Sequence, residues 1–264
     1  MKKAIVFDNS GTLIERYRVI KDINTGNLST DMSSLELVDQ NDTFALVVLQ
    51  YNTNKLLDLN PNTLISDVIT EYDIDFDISF TNFKTTKEDV KEILLNEKSA
   101  VISDITEGFP ILKKIVPHME LCNGSALIID MKAEKVAYTI TSAGKLFDGV
   151  VETVDDLKSR GYEIFLASGD RKGAINKLAG MIGINKDNAH GSVSTQGKCK
   201  VIKSLQDGGY KVMMVGDGLN DVLAFKRADV SVLTIEQQDQ VSPKLLDKTD
   251  YIIDNIREVS DIDF

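Results

Sequence analysis

Short apolar runs alternate with amphipathic stretches through the second half of this 264-residue chain. The runs that predict strands are 126–129, 163–167, 211–215, 230–233 and 251–253, and the stretches that predict helices are 147–160, 171–182 and 198–206. Alternating strands and helices are typical of a parallel sheet with helices on both of its faces. We therefore predict an α/β fold with a Rossmann-like sheet, to which residues 1–15 contribute one further central strand.

The segment between about Glu15 and Asn123 has a different texture and is rich in Asn, Asp and Thr. It contains candidate strands at 18–20 and 44–49 and a candidate helix over 86–96, which Thr85 or Thr86 would cap. It contains no internal repeat, low-complexity tract or long Gly/Ser/Pro linker. We predict a core domain formed by 1–15 and 124–264, with residues 16–123 inserted as a cap domain after the first strand.

Composition and charge exclude several classes of protein. A hydrophobic fraction of 42% with 27% charged residues is ordinary for a globular chain and argues against disorder, collagen or a coiled coil. The apolar runs fall far short of the roughly 20 residues that span a bilayer, and the one after Lys3 is too short for a signal peptide. We expect a cytoplasmic protein with no membrane partner. A net charge of −11 without a dense Lys/Arg cluster also argues against nucleic acid as a partner.

The cysteines and histidines add nothing to the functional prediction. Cys122 and Cys199 are isolated in the sequence, so we expect free or buried thiols and no disulfide. His118 and His190 have no partner at metal-ligand spacing, and we expect both to lie on the surface or in loops.

Four polar segments carry the candidate chemistry, and each has an ordinary structural interpretation when taken alone. Residues 8–12 and 216–218 are permissible turns, and 168–170 could simply cap a helix. Lys198 could be one more solvated charge on its helix. However, each segment follows or lies near the end of a predicted strand. Such strand ends meet at the edge of a parallel sheet where ligands bind. Together they predict one site.

The two glycine-flanked acidic segments predict phosphoryl transfer. A carboxylate at the end of a buried strand, such as Asp8, can attack phosphorus or hold a metal. The segment 216–221 offers further carboxylates to the same cation. Attack on a phosphoryl group requires that the negative charge of both groups be neutralised, which calls for Mg²⁺ and a nearby cationic side chain.

These segments resemble the haloacid dehalogenase superfamily of phosphotransferases, and within it the phosphorylation domain of the P-type ATPases. Residues 8–13, D-N-S-G-T-L, are similar to the D-K-T-G-T-L of that family, and 168–170, S-G-D, are similar to T-G-D. Residues 198–206 look like the lysine-led helix of the family. The segment 216–221, G-D-G-L-N-D, matches G-D-G-x-N-D and is the most specific of the four. The resemblance covers about 1–15 and 124–264 and does not visibly extend to the insertion.

The resemblance implies a nucleophile and a metal site. Asp8 would form an aspartyl-phosphate. Mg²⁺, which takes about six oxygen ligands, would be bound by Asp8, the backbone carbonyl of Ser10 and Asp217. Asp221 is a further candidate in this metal set and Asn220 a candidate substrate contact, and both would brace the ligands.

The resemblance also implies which groups contact phosphate. Donors must be aimed in advance at the oxygens on which negative charge accumulates. They would be the Ser168 hydroxyl, the Gly169 backbone N–H and the Lys198 ammonium, while Thr12 would support the nucleophile loop. Lys200 is the competing candidate for the cation, but Lys198 aligns with the first lysine of the family helix.

Two departures from the family pattern shape the expected activity. Many phosphatases of the superfamily carry an aspartate at the position of Ser10, where it protonates the leaving group and later activates water, whereas P-type ATPases carry threonine. General acid–base catalysis is typically worth ~10²–10⁴ in rate, so we expect slow turnover and a longer-lived phosphoenzyme. Asn9 stands where the pumps carry lysine, and the sequence assigns it no role.

We therefore expect a Mg²⁺-dependent phosphohydrolase that acts through Asp8 on a small phosphorylated substrate. A soluble ATPase whose insertion binds nucleotide is the first alternative, although the lysine-glycine-alanine motif of pump insertions is not visible between Glu15 and Asn123. A regulatory or binding module that accepts phosphate and hardly turns over is the second. The sequence leaves open the physiological substrate, the topology of the insertion and the oligomeric state.

Overall fold

A computed structural model describes residues 2–116, 121–237, 243–246 and 248–264. The strands are β1 Lys2–Phe7, β2 Ile14–Asp22, β3 Leu28–Ser29, β4 Phe44–Leu49, β5 Phe76–Thr81, β6 Leu121–Asp130, β7 Lys135–Leu146, β8 Glu163–Ala167, β9 Ala189–His190, β10 Tyr210–Gly216, β11 Val230–Thr234 and β12 Tyr251–Ile253. The helices are α1 Ser34–Asp39, α2 Ile65–Glu71, α3 Lys87–Asn96, α4 Ile102–Thr106, α5 Phe109–Ile115, α6 Val150–Ser159, α7 Lys172–Met181, α8 Thr195–Asp207, α9 Val222–Arg227 and α10 Pro243–Leu246.

The first of two compact units comprises Met1–Arg16 and Lys145–Phe264. Its six strands pair in the order β12-β11-β10-β1-β8-β9, and every pair is parallel. The side chains of residues 4–7 in β1 are fully buried, as a parallel sheet covered on both faces requires. The predicted α/β fold, with the N-terminal strand in the middle of the sheet, is confirmed.

The helices of this unit follow from their apolar spacing. In α6 the buried residues are Val150, Thr153, Val154 and Leu157, one face of an amphipathic helix. In α8, Ser194 is the N-cap and its hydroxyl accepts the N–H of Gly197 at 3.2 Å. Lys198 and Ile202 share the buried face of α8, so Lys198 points into the protein and is not a solvated surface charge.

The second unit, Tyr17–Gly144, is built on a different sheet. Its strands pair in the order β3-β2-β7-β6-β4-β5, and the pairs β2–β3, β4–β5, β4–β6 and β6–β7 are antiparallel. This unit has its own hydrophobic core, which includes Val47, Leu94, Ile105 and Leu127. Each of these side chains is at most 1% exposed. The insertion is therefore a separately packed α+β unit.

The predicted domain boundary at residues 123/124 is wrong, because the second unit continues to Gly144. The run 126–129, assigned from its sequence to the parallel sheet, lies in β6 and pairs with β4 and β7. Leu127 and Ile129 pack into one hydrophobic cluster of this unit and Ile128 packs into another. Because both faces of β6 are covered, its sequence has the continuous apolar character of a parallel strand.

The other secondary-structure predictions are largely confirmed. The core strands and helices match β8, β10, β11, β12, α6, α7 and α8, and the candidate strands of the insertion lie in β2 and β4. The helix predicted over 86–96 is α3, where Thr86 and Asp89 form a capping box. No helix among the described residues combines the length and the apolar character that crossing a membrane requires.

The minor residue predictions have mixed outcomes. His190 lies in the short strand β9 rather than in a loop, half-buried, with its ring stacked on Phe165 at a centroid distance of 6.5 Å. Cys199 is a free thiol. His118 and the side chain of Cys122 lie outside the described residues.

Candidate active site

The candidate nucleophile loop, residues 8–13, begins where β1 ends. Asp8 extends the pairing with β10 by one residue, because its N–H donates to the Val215 carbonyl at 2.9 Å. The chain then turns sharply, and the Asn9 carbonyl accepts the N–H groups of residues 12–14 at 2.8–3.1 Å. This closed turn holds the carboxyl group of Asp8 at the carboxyl edge of the parallel sheet, where Asp8 is 2% exposed.

Gly11 allows the second acidic loop to approach this turn. Its φ of +87° is the left-handed conformation that favours glycine. A Cβ atom at this position would lie 1.9 Å from Oδ2 of Asp217. Gly216 makes room within the second loop itself, since its Cβ would lie 2.5 Å from Oδ2 of Asp221. Gly11 therefore lets the two loops approach each other, and Gly216 lets the Asp221 carboxylate fold back onto its own loop.

Lys198 joins the two loops through a buried ion-pair network. Its Nζ lies 2.8 Å from Oδ1 of Asp8 and 2.7 Å from Oδ1 of Asp221. All three side chains are at most 3% exposed. Buried charges are tolerated only when they are paired and hydrogen-bonded, and Lys198 is the shared partner of both carboxylates. Lys200, the competing candidate, is exposed on the same helix.

Burial perturbs the protonation equilibria of the whole network. It raises the pKa of Asp8 from 3.8 to about 6, while Lys198 lowers it and Asp221 raises it further. Burial likewise raises the pKa of Asp221, which Lys198 opposes and Asp217 reinforces. For Lys198, burial lowers the pKa, but the carboxylates of Asp221 and Asp8 outweigh burial and raise it. The lysine therefore remains charged at neutral pH.

Three carboxylates form a cluster that suits a hard cation. Asp8, Asp217 and Asp221 each offer an oxygen, and these oxygens lie within 4.8 Å of one another. An all-oxygen donor set is the one that Mg²⁺ prefers. Both carboxylate oxygens of Asp221 already accept hydrogen bonds within the protein. One accepts from Lys198, and the other accepts from the Gly218 N–H at 3.2 Å. The cluster therefore fits a magnesium ion, with Asp221 suited to supporting it.

The comparisons with known proteins agree with this geometry. The sequence model of the haloacid dehalogenase-like hydrolase family matches residues 2–229. The chain belongs to this family. It is also 38% identical over 263 residues to a protein of Methanocaldococcus jannaschii named "Soluble P-type ATPase-like phosphatase", covering 99% of this chain and 93% of that one. The prediction of an enzyme, a phosphohydrolase of the haloacid dehalogenase superfamily, is confirmed.

Two further similarities are partial or distant. A copper-transporting ATPase of Saccharomyces cerevisiae is 39% identical over 82 residues, which are 30% of this chain and 8% of that protein. A structure titled as a phospho-aspartyl intermediate analogue of phosphoserine phosphatase covers 98% of this chain and 97% of its own, with 16% identity and a TM-score of 0.44.

Within this haloacid dehalogenase site, Asp170 is a residue whose role sequence reasoning missed. Its Oδ2 accepts hydrogen bonds from Asn9 Nδ2 at 2.6 Å, Ser168 Oγ at 3.0 Å and Ser10 Oγ at 3.1 Å. One carboxylate therefore ties the nucleophile loop to the loop after β8. It also gives Asn9 a partner that the sequence alone did not assign. The available signal was the acidic residue that ends the S-G-D segment.

Arg16 is the second residue that sequence reasoning missed, and it lies beside two of the predicted metal ligands. Its Nη1 donates to the Ser10 carbonyl at 3.3 Å, and its Nη2 lies 3.7 Å from Oδ2 of Asp217. No family motif in the sequence marks this position. The remaining predicted residues, Thr12, Gly169 and Asn220, lie in the same loops of this unit. The Oγ1 of Thr12 and the Oδ1 of Asn220 are buried and accept no hydrogen bond from the described residues.

Proposed function

We propose that this chain is a Mg²⁺-dependent phosphohydrolase that forms an aspartyl-phosphate on Asp8. The observation that carries the proposal is the buried carboxylate of Asp8, 2.8 Å from the Lys198 ammonium and within 4.8 Å of the other two carboxylates. A carboxylate in such surroundings is placed to act on a phosphate ester rather than to stabilise the fold. The substrate class is a small phosphorylated molecule.

The residues that would hold the cation are Asp8, Asp217 and the backbone carbonyl of Ser10, with Asp221 in support. When bound, Mg²⁺ would offset the negative charge that the phosphoryl oxygens bring to these carboxylates. Lys198 keeps Asp8 ionised by pairing with it. Its ammonium is also placed to stabilise negative charge that develops next to the nucleophile.

The chemistry divides into two displacements at phosphorus. In the first, an oxygen of Asp8 forms a bond to phosphorus as the bond to the leaving oxygen breaks, and the leaving group takes a proton from solvent. In the second, water attacks the phosphorus of the aspartyl-phosphate, releases inorganic phosphate and regenerates Asp8. Ser10 is a poor general acid near neutral pH, so we expect the second displacement to be slow.

A soluble ATPase is the second candidate function. The similarity to a copper-transporting ATPase over 30% of the chain favours it, because the name of that relative specifies ATP as its substrate. ATP therefore belongs in the substrate panel. Protection of the second unit from proteolysis by Mg²⁺ and ATP would support this candidate over a phosphatase of small metabolites.

The decisive experiment measures hydrolysis and covalent labelling together. The wild-type chain should hydrolyse an aryl phosphate in Mg²⁺, lose activity in EDTA, and carry acid-stable label from a ³²P-labelled substrate. Asp8→Asn should abolish both hydrolysis and label. Asp207→Asn is the matched control, because Asp207 is an exposed helix residue paired with Lys203. Absence of turnover and of label across aryl phosphates, metabolites and ATP would overturn the proposal and favour a binding module.

A further inference from the structure

The oxygens proposed as metal ligands already have a cationic partner within the protein. Arg16 bridges the Ser10 carbonyl, at 3.3 Å, and the Asp217 carboxylate, at 3.7 Å. These two groups come from different loops of the first unit. The Arg16 side chain is only 14% exposed, and that of Asp217 is 9% exposed. The contact is therefore largely shielded from solvent. Charge pairs that are shielded in this way are only weakly screened by salt.

The backbone of Arg16 is held in a defined position. Its N–H donates to Oε1 of Gln237 at 2.7 Å, and its carbonyl accepts from Nε2 of the same side chain at 3.1 Å. On the preceding turn, the Gly11 N–H donates to the Ile14 carbonyl at 2.8 Å. The guanidinium therefore extends from a backbone position that Gln237 and the preceding turn hold in place.

Charge balance explains why a guanidinium is stable at this point. Lys198 pairs with Asp8 and Asp221, and Asp217 adds a third carboxyl group to this acidic cluster. Arg16 supplies a second positive charge without any bound ion. Its planar fork can contact a carbonyl and a carboxylate at the same time, which a lysine ammonium does less well.

A divalent cation and this guanidinium compete electrostatically for the same carbonyl and carboxylate groups. Mg²⁺ requires ligand distances of about 2.0–2.1 Å and near-octahedral geometry, and like charges at such short range repel strongly. We propose that Arg16 is an internal counter-ion of the metal site, whose guanidinium competes with a divalent cation for the Ser10 carbonyl and the Asp217 carboxylate. This inference rests on the proposed function, because it takes the metal site as given.

Arg16 is thus a positioning residue, and its loss should change the affinity for metal in an unusual direction. Loss of a residue that merely supports the loops would weaken metal binding. Loss of a competing cation would strengthen it, because the metal no longer displaces a bound group and no longer meets a nearby positive charge. The direction of the change therefore separates the two roles.

The test measures Mn²⁺ binding by electron paramagnetic resonance of the free ion, using the full-length chain without substrate. We expect Arg16→Gln to lower the Kd for Mn²⁺ by about tenfold or more, and Arg16→Lys, which keeps the charge, to remain closer to the wild-type value. Arg160→Gln removes the same charge from the start of the segment leading into β8, at the opposite end of the sheet. That variant should change the Kd less than twofold, since Arg160 is exposed and paired with Asp156.

An unchanged or higher Kd in Arg16→Gln, with the fold intact by circular dichroism, would overturn the proposal. Asp217→Asn separates this failure from failure of the metal site itself. If Asp217→Asn weakens Mn²⁺ binding while Arg16→Gln does not strengthen it, the site stands and the counter-ion role is wrong. If no variant binds Mn²⁺, both the counter-ion role and the proposed metal dependence are wrong.

Discussion

At the scale of single residues, the site holds carboxylates whose ionisation is opposed by burial. Asp8, Asp221 and Lys198 are buried together, and burial raises the pKa of both carboxyl groups although Lys198 opposes the shift. A raised carboxyl pKa means that ionisation in the folded state costs free energy. This cost is the expected result of placing a nucleophile in a dry, preorganised site.

Asp8→Asn should therefore stabilise the metal-free protein at pH 8. The folded pKa of about 6 lies above the unfolded value of 3.8, so the folded state binds the proton more tightly and wild-type stability falls as pH rises through that window. We expect a gain of about 1–3 kcal/mol at pH 8 that disappears below about pH 4. Urea unfolding in EDTA at both pH values measures it. A variant that is less stable than wild type at pH 8 would contradict the assigned cost.

Ser10→Asp should accelerate breakdown of the phosphoenzyme. The new carboxyl would lie beside Asp170, which now accepts the Ser10 hydroxyl at 3.1 Å. Repulsion from a neighbouring carboxylate favours the protonated form of the introduced carboxyl group, which can then donate a proton. We expect dephosphorylation to be about tenfold faster or more, measured by chase of labelled enzyme. Ser10→Asn is the control of similar size. Equal rates in the two variants would argue against general acid–base catalysis from this position.

At the scale of elements, the site depends on how closely two loops approach, each of which follows a strand of the parallel sheet. The loop after β1 and the loop after β10 meet where Gly11 faces Asp217, and Lys198 on α8 connects the nucleophile to Asp221. These contacts are long-range in sequence, yet each depends on a local feature of one loop. The left-handed conformation of Gly11 is the clearest case.

Gly11→Ala should disrupt both the fold and the activity. The added Cβ would meet Oδ2 of Asp217 at 1.9 Å, in a backbone conformation that alanine disfavours. We expect hydrolysis to fall by at least about 100-fold, because a displacement of about 1 Å at a catalytic group is enough for that loss. Gly26→Ala is the matched control, since Gly26 has a φ of +72° and nothing within 4 Å of its Cβ position. That change should cost only about 1–2 kcal/mol of stability, measured by thermal unfolding, and leave activity intact. Equal losses in the two variants would show that backbone strain, and not the contact with Asp217, is responsible.

At the scale of the whole molecule, the chain consists of two units with separate sheets. The first holds the candidate site residues and the second, Tyr17–Gly144, has its own hydrophobic core. The chain leaves the first unit near Glu15 and re-enters it at Lys145. These two points lie close together, as the 2.8 Å salt bridge between the two side chains shows. Insertions of this kind are tolerated where the ends are adjacent.

Replacing residues 17–144 with a short Gly/Ser linker should therefore leave a folded first unit. We expect cooperative thermal unfolding, and we expect Mg²⁺-dependent labelling of Asp8 by aryl phosphates to persist. Discrimination among a panel of phosphorylated metabolites should decline, because inserted segments commonly select the substrate. Circular dichroism and the same panel assayed on the full chain provide the comparison. An unfolded product would show that the first unit depends on the insertion.

Much of the parallel sheet and of the site could be predicted, because both have local signatures. Short apolar runs followed by polar residues identify strand ends, and the G-D-G-L-N-D segment identifies the acidic loop. The end of the insertion could not be predicted, because β6 is covered on both faces of an antiparallel sheet and has the sequence of a parallel strand. The role of Asp170 escaped for another reason. Its partner Ser10 is 160 residues away, and no local pattern encodes that hydrogen bond.

The sequence by itself determined the fold class and the family, and it supplied Asp8 as the candidate nucleophile, because strand periodicity and short motifs depend on neighbouring residues. The tertiary structure alone decided that Lys198 is buried between Asp8 and Asp221, that Asp170 joins two loops, and that Arg16 lies against the ligands of the proposed cation. These are interactions between charges brought together from distant parts of the chain. Their strength depends on distance and burial, which exist only once the chain has folded.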